Sequence, residues 1–288
     1  MNDIIEHKEH HLHPEDVSTE GRPSSIQKIV LAGNPNVGKS LFFNFLSGTY
    51  VDVSNFPGTT VSITKGFYKN LEVYDTPGVY GVSSFNDEEK VARDIILEAD
   101  IVINVVNSLH LERDLFLTLQ LIDMGKKMCV FLNFNDELKK RKIKIDAEKL
   151  SELLGIPVYE TSAVKKFGFD KLDNAITTSK VGIQPEGLHH VLHETLNRVG
   201  SQAEALLITE GDEFVAAKHG VPCGSGDDRE FIYIERRNRV NEIVSTVERE
   251  DSSRGLFFNA LGKYSLNPLT GIPILLFMLT ILYFFIVF

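Results

Sequence analysis

One octapeptide limits this chain more than any other stretch: Gly33-Asn34-Pro35-Asn36-Val37-Gly38-Lys39-Ser40. Its spacing is G-x-x-x-x-G-K-[ST], a loop whose backbone N–H groups gather around phosphate oxygens. Before it runs Lys28-Ile29-Val30-Leu31-Ala32, short, apolar and β-rich. After it, Leu41-Phe42-Phe43-Asn44-Phe45-Leu46 places apolar residues at helical spacing. Strand, glycine loop, helix is the order that phosphate binding needs. Gly33 and Gly38 allow backbone angles closed to other residues, and the helix beginning near Lys39 adds its positive end. Lys39 is expected to reach β- and γ-phosphates and Ser40 to ligate Mg²⁺. Asn34, Asn36, Val37 and Leu41 complete the expected nucleotide cradle.

The formal net charge of −10 argues against a general nucleic-acid binder, which would show a basic surface. The two cysteines, Cys129 and Cys223, lie far apart, so neither a disulfide framework nor a zinc spacing is present. The first residues are polar and acidic, unlike a signal peptide.

Residues 1–25 read as a disordered tail, in which His7, His10, His11 and His13 have no rigid frame to set a metal geometry. From residue 26 to 180, strand and helix patterns alternate. A Gly/Pro/Asn loop covers Tyr50 to Thr60, and β-like runs follow at 61–68 and 71–74. A helix is expected over 87–98, then the continuous apolar strand 101–106. A helix near 112–124, a strand at 128–132, a helix near 146–154, a strand at 157–160 and a last helix ending near 178 complete the series. Such alternation predicts an α/β fold, a doubly wound and mostly parallel sheet with helices on both faces. Residues 181–265 read as a small helical domain, with helices over 186–205 and 230–250 around the loop 220–228. His189, His190 and His193 read as surface or packing histidines rather than as ligands. From Ile272 to Phe288 there are seventeen residues without a charge. Residues 266–288 are therefore expected to enter a membrane as the start of a transmembrane helix, cut short at the chain's end.

Further motifs fall at the carboxyl ends of the expected strands, where such sheets bind ligands. Asp75-Thr76-Pro77-Gly78 would place Asp75 in the Mg²⁺ shell and the Gly78 N–H on the γ-phosphate. Asn133-x-x-Asp136 would read the base. A carboxylate at Asp136 accepts from N1–H and N2–H₂ of guanine, whereas adenine would leave it unpaired. Ser162-Ala163 would support guanine through backbone N–H groups. Together these motifs point to GTP as ligand and to a GTPase.

The chain resembles the ferrous iron transport protein B family over about residues 26–288. Beside the phosphate loop, the resemblance is carried by NFPGTTVS (55–62), DEEKVARD (87–94), LERDLFLTLQLIDMG (111–125), KIDAEKLSELLGIPV (144–158) and LNPLTGIP (266–273). It implies a GTPase domain, a helical spacer and a membrane domain that passes Fe²⁺. It also implies that Thr60 meets Mg²⁺ and the γ-phosphate, with adjacent Thr59 the alternative, and that Asn36 ligates K⁺. Val79 stands where many regulatory GTPases carry a water-orienting glutamine. Glu88 and Glu89 are outer-shell candidates, the alternative being a solvated helix start. Phe134 replaces the lysine of the commonest base-reading motif.

Lys39, Thr60 and Gly78 are thus the expected catalytic groups. Ser40, Thr60 and Asp75 are expected at Mg²⁺, and Asn36 at K⁺. The expected function is GTP binding and hydrolysis in the cytosolic part of a ferrous iron uptake transporter, at the inner membrane of a prokaryote with residues 1–265 in the cytoplasm. The alternative is a membrane-tethered regulatory switch that moves no ion. The bilayer, small accessory proteins and a homo-oligomer are the further expected contacts.

Overall fold

The structure, a computed structural model, describes residues 27–48, 51–56, 59–83, 86–250, 264–265 and 267–287. The expected tail, residues 1–25, lies outside the described residues.

Seven strands form one sheet: β1 (Lys28–Ala32), β2 (Val51–Asn55), β3 (Ser62–Tyr68), β4 (Leu71–Asp75), β5 (Ile101–Asn107), β6 (Met128–Asn133) and β8 (Val158–Glu160). Their order is β2-β3-β4-β1-β5-β6-β8. Every pairing from β4 to β8 is parallel, while the β2–β3 and β3–β4 pairings are antiparallel. After β1 the chain goes to the edge strand β2 and works back through β3 to β4 beside β1, then crosses to the other side with β5 and builds outward through β6 to β8. Crevices for ligands open at that reversal, beyond the strand carboxyl ends. The phosphate loop leaves β1 there, and Asp75 ends β4 beside it.

The central strands are apolar throughout because both sheet faces are covered. Ile29, Leu31, Ile103, Cys129 and Phe131 face α1 (Lys39–Ser47) and α6 (Leu172–Thr178). Their neighbours Val30, Ala32, Val102, Val130 and Leu132 face α2 (Asp87–Glu98), α3 (Leu111–Asp123) and α5 (Ala147–Leu154). Alternation of side chains along each strand thus feeds two cores. Burial pushes the Cys129 thiol up to about 12, so it acts as an inert apolar residue.

The loop expected over Tyr50–Thr60 contains β2. Its five residues are all exposed, so no buried face marked the strand. The helix expected over 186–205 is two helices, α7 (Leu188–Val199) and α8 (Gln202–Thr209). Gly200, at φ 75°, ends the first, and the Ser201 hydroxyl caps the second through Glu204 N–H. Four short elements were not anticipated: α4 (Asn135–Arg141), α9 (Glu213–His219), strand β7 (Ile143–Ile145) and its antiparallel partner β9 (Glu248–Glu250), which takes the last three residues of the helix expected over 230–250. Among the described residues no helix is long and apolar enough to cross a membrane, so the expected transmembrane start is not seen. Helix α11 (Pro268–Val287) is uncharged, and its described side chains, from Thr270 to Phe284, are mostly exposed.

Helices α7 to α9 and α10 (Gly226–Val247) continue the core of the α2/α3 face, through residues such as Leu192, Leu206, Val215 and Val240. At this junction Arg236 is fully buried. It pairs with Glu210 at 2.7 Å and with Asp123 at 3.0 Å, and Arg239 holds the other Asp123 oxygen at 3.0 Å. Arg93 of α2 makes a second buried pair with Asp212, with both carboxylate oxygens at 3.0 Å. Removing one partner from such a group leaves charge stranded away from water. Arg236→Ala is expected to lower unfolding stability by about 3–5 kcal/mol. Arg236→Lys should recover little, since an ammonium cannot reproduce the forked geometry. Denaturant titration of the variants measures both.

Candidate functional site: a phosphate loop tied to a base loop

The phosphate loop is held from several sides. Gly38 adopts φ 97°, and a Cβ there would lie 2.5 Å from Asn133 Nδ2, so only glycine fits. Asn133 Nδ2 donates to the Val37 carbonyl at 2.8 Å, and Asn133 Oδ1 accepts from Ala163 N–H at 2.9 Å. On another side, Asn34 Nδ2 donates to Asp114 Oδ1 of α3 at 2.7 Å. A Cβ on Gly78 would sit 2.6 Å from Pro35 Cα, so the β4 loop lies directly against the phosphate loop. Helix α1 has no acidic residue in its first turn and no side-chain cap, which leaves its N–H groups and positive end suited to an anion.

Lys39 is buried, and its Nζ donates to the carbonyls of Gly33 at 3.0 Å and Asn34 at 3.1 Å. Burial pushes its pKa down, against the pull of the Asp75 and Asp114 carboxylates. A cavity of about 590 Å³ opens beside it, lined by Asn36, Lys39, Ser40, Thr60, Asp75 and Gly78, with Glu88 at its edge. Ser40 Oγ donates to Asp75 Oδ2 at 2.9 Å, while Asp75 Oδ1 is buried without a partner. Burial raises the Asp75 pKa, opposed by the Ser40 hydroxyl and the Lys39 charge. An orphaned buried carboxylate oxygen beside a hydroxyl is an all-oxygen donor set that fits a hard cation such as Mg²⁺.

Of the two adjacent threonines, Thr60 lines the cavity, whereas the Thr59 hydroxyl bonds Phe56 O at 3.1 Å and Val61 N at 3.3 Å in a turn. Val79 is buried in the core, and its N–H donates to Gly33 O at 3.2 Å. Its side chain points away from any position where it could order water. Asn36 lies in the left-handed region at φ 62°, uncommon for a residue with a side chain.

At the base end, Ser162 Oγ donates to Asp136 Oδ1 at 2.7 Å. This bond holds the Asp136 carboxyl below its usual range and presets its direction. The Asn133 amide braces Val37 and Ala163. The backbone N–H groups of Ser162 and Ala163 are engaged within the protein: Ser162 N donates to Phe167 O at 3.2 Å and Ala163 N to Asn133 Oδ1. The Ser162 hydroxyl is the group that meets Asp136. Leu41, at the outer side of α1, bonds back to Gly38 O at 3.1 Å through its N–H.

Asp114 and Gln120 were not singled out from the sequence. Gln120 Oε1 accepts from Val82 N at 2.7 Å and its Nε2 reaches Ser83 and Glu210, linking the loop after Gly78 to α8. The signal was present in α3, which is buried on almost every side, so its polar residues could not all face water. The three histidines of α7 are exposed, and no group of three His, Cys, Asp or Glu side chains placed to hold a metal ion occurs among the described residues.

A partly exposed carboxylate fixed by one hydroxyl is suited to accept two parallel N–H donors of a guanine. Asp136→Ala is expected to weaken GDP binding by about 1.5–3 kcal/mol per lost charged hydrogen bond. ADP binding should hardly change. Calorimetry with both nucleotides measures the difference, and equal affinities of the unaltered protein for GDP and ADP would sink the base assignment.

A sequence model of the family described as ferrous iron transport protein B matches residues 27–176, just over half of the chain. The Fe(2+) transporter FeoB of Legionella pneumophila (strain Paris) is 31% identical over 290 residues, which cover 89% of this chain and 38% of that protein. The present chain therefore spans well under half of that relative's length. Among solved structures, the GDP-bound form of a mutant S. thermophilus FeoB G-domain superposes with a TM-score of 0.68 at 31% identity, over 78% of this chain and 100% of that one. The cytosolic domain of the T. maritima FeoB iron transporter in its GMPPNP form gives 0.68 at 32% identity, with the same two coverages. The strand order, the phosphate loop and these likenesses agree: the fold is that of a P-loop GTPase, and the chain belongs to the ferrous iron transport protein B family.

Proposed function

We propose that this chain binds and hydrolyses GTP as the cytosolic part of a ferrous iron uptake transporter in a prokaryotic inner membrane. The observation that carries the reading is the single cavity that gathers Lys39, Ser40, Thr60 and Asp75, with Asp136 braced at the other end of the Asn133 tie. Residues 26–180 form the nucleotide unit and residues 181–265 the helical spacer in this reading. The uncharged helix α11, with exposed apolar side chains, is the part that would meet the bilayer of a longer protein, as residues 266–288. Fe²⁺ would be the cargo of that longer protein.

On nucleotide binding, Lys39 exchanges two loop carbonyls for phosphate oxygens and keeps its positive charge close to the leaving group. Ser40 and Asp75 would hold Mg²⁺, with Thr60 joining from the loop before β3. When bound, Mg²⁺ offsets charge on the β- and γ-phosphates. The Gly78 N–H would meet the γ-phosphate, and a Cβ there would crowd Pro35 and the Lys39 ammonium. With Val79 buried, the attacking water must be ordered by backbone groups or by polar side chains at the cavity edge, Glu88 among them. Asn36 would present its side-chain carbonyl to K⁺, which supplies positive charge near the phosphates where other GTPases use an arginine worth about 10³–10⁵ in rate.

Two measurements test these roles. Thr60→Ala is expected to slow phosphate release far more than it weakens GDP binding, and Thr59→Ala to do neither. The reverse pattern would shift the assignment by one residue. Replacing Na⁺ by K⁺ at constant ionic strength is expected to raise GTP turnover, and Asn36→Ala to erase most of that rise while GDP affinity stays close to its original value. Equal turnover in both salts removes the cation role.

A further inference from the structure

We infer that Asp114, in the first turn of α3, is a positioning residue that sets the shape of the phosphate loop and thereby places Lys39. The inference rests on the reading of Gly33–Ser40 as a nucleotide phosphate site. Asp114 is 2% exposed. Its Oδ1 accepts from Asn34 Nδ2 at 2.7 Å and from Arg113 Nε at 2.8 Å, and its Oδ2 accepts from Asn107 N–H at 2.9 Å. One carboxylate thus joins three segments: the phosphate loop, the end of β5 and its own helix.

The chain of contacts is short. Asn34 is buried, and its Oδ1 has no partner, so the bond to Asp114 is what orients this side chain. The carbonyl of the same residue receives Lys39 Nζ at 3.1 Å. Asp114 therefore fixes the Asn34 side chain, which fixes the peptide that holds the lysine. Asp114 does not line the nucleotide cavity itself. A carboxylate in a first helical turn also favours the helix by itself, and that general role must be separated from positioning.

The chemistry separates them, because the loop needs an acceptor here and not a charge. In Asp114→Asn, the Asn34 amide can turn over. Its orphan Oδ1 then accepts from the new amide, whose own oxygen is kept for Asn107 N–H, so that Asn34 Nδ2 alone is left unpaired. Arg113, half exposed, can turn to water. In Asp114→Leu, which keeps the branching at Cγ but offers no acceptor, the donors Asn34 Nδ2 and Asn107 N are both left buried and unpaired.

The test uses the full chain with a fluorescent GDP analogue, single-turnover GTP hydrolysis and thermal unfolding in parallel. All binding is measured well below the melting temperature of every variant. Asp114→Leu is expected to weaken nucleotide binding about tenfold, the cost of a stranded buried donor. Asp114→Asn should recover most of that loss. Adding Asn34→Leu to Asp114→Leu should cost no further affinity, since the two residues act as one unit. If Asp114→Leu does not fold, Asn34→Leu carries the test from the loop side with the same expected loss. The inference is overturned if either leucine variant melts earlier yet binds and hydrolyses as before, or if Asp114→Asn is as weak as Asp114→Leu. Failure of the unaltered protein to bind the GDP analogue would instead remove the nucleotide reading on which the inference stands.

Discussion

The carboxamide of Asn133 is the contact on which this site depends. It donates to Val37 in the phosphate loop and accepts from Ala163 in the loop after β8. A nucleotide has a fixed span from phosphates to base, so a receptor for it must hold two loops at a fixed separation. One side chain at the end of a fully buried strand does so here. It cannot drift, because β6 is paired on both sides and packed on both faces. Both its polar atoms are used, so it resists replacement by anything but another amide.

The same economy governs α3. Its apolar residues close the core, while its buried polar residues face outward from that core in several directions. Asp114 meets the phosphate loop, Gln120 meets Val82 and Ser83, and Asp123 meets Arg236 and Arg239. The helices after residue 187 therefore pack on the nucleotide unit through a core and a buried polar network together. Shared apolar surface alone would allow sliding, whereas forked ion pairs in a dry junction set one register.

Most of the fold was legible because its signals are local. A glycine loop between a strand and a helix can be read from twenty residues, and strands buried on both faces announce themselves as unbroken apolar runs. What escaped lacked such a signal. The edge strand β2 is exposed on all five residues, and α9 and β7 are too short to show a period. The break at Gly200 fell inside an apolar pattern that continued across it. In the site, residue types were readable but not their partners. Asn133 belongs to the motif expected to read the base, and only its contacts show it bracing two loops. Asp114 belongs to no motif, and only its burial reveals its three donors.

The small β7–β9 ribbon has a mechanical meaning. It joins residues 143–145 to 248–250. Ile143 faces Glu250, so the end of β7 that follows α4 lies beside the outer end of β9, and β9 itself runs straight out of α10. The ribbon therefore clasps the end of the long helix α10 to the segment that carries Asp136, by backbone hydrogen bonds that no side-chain substitution removes.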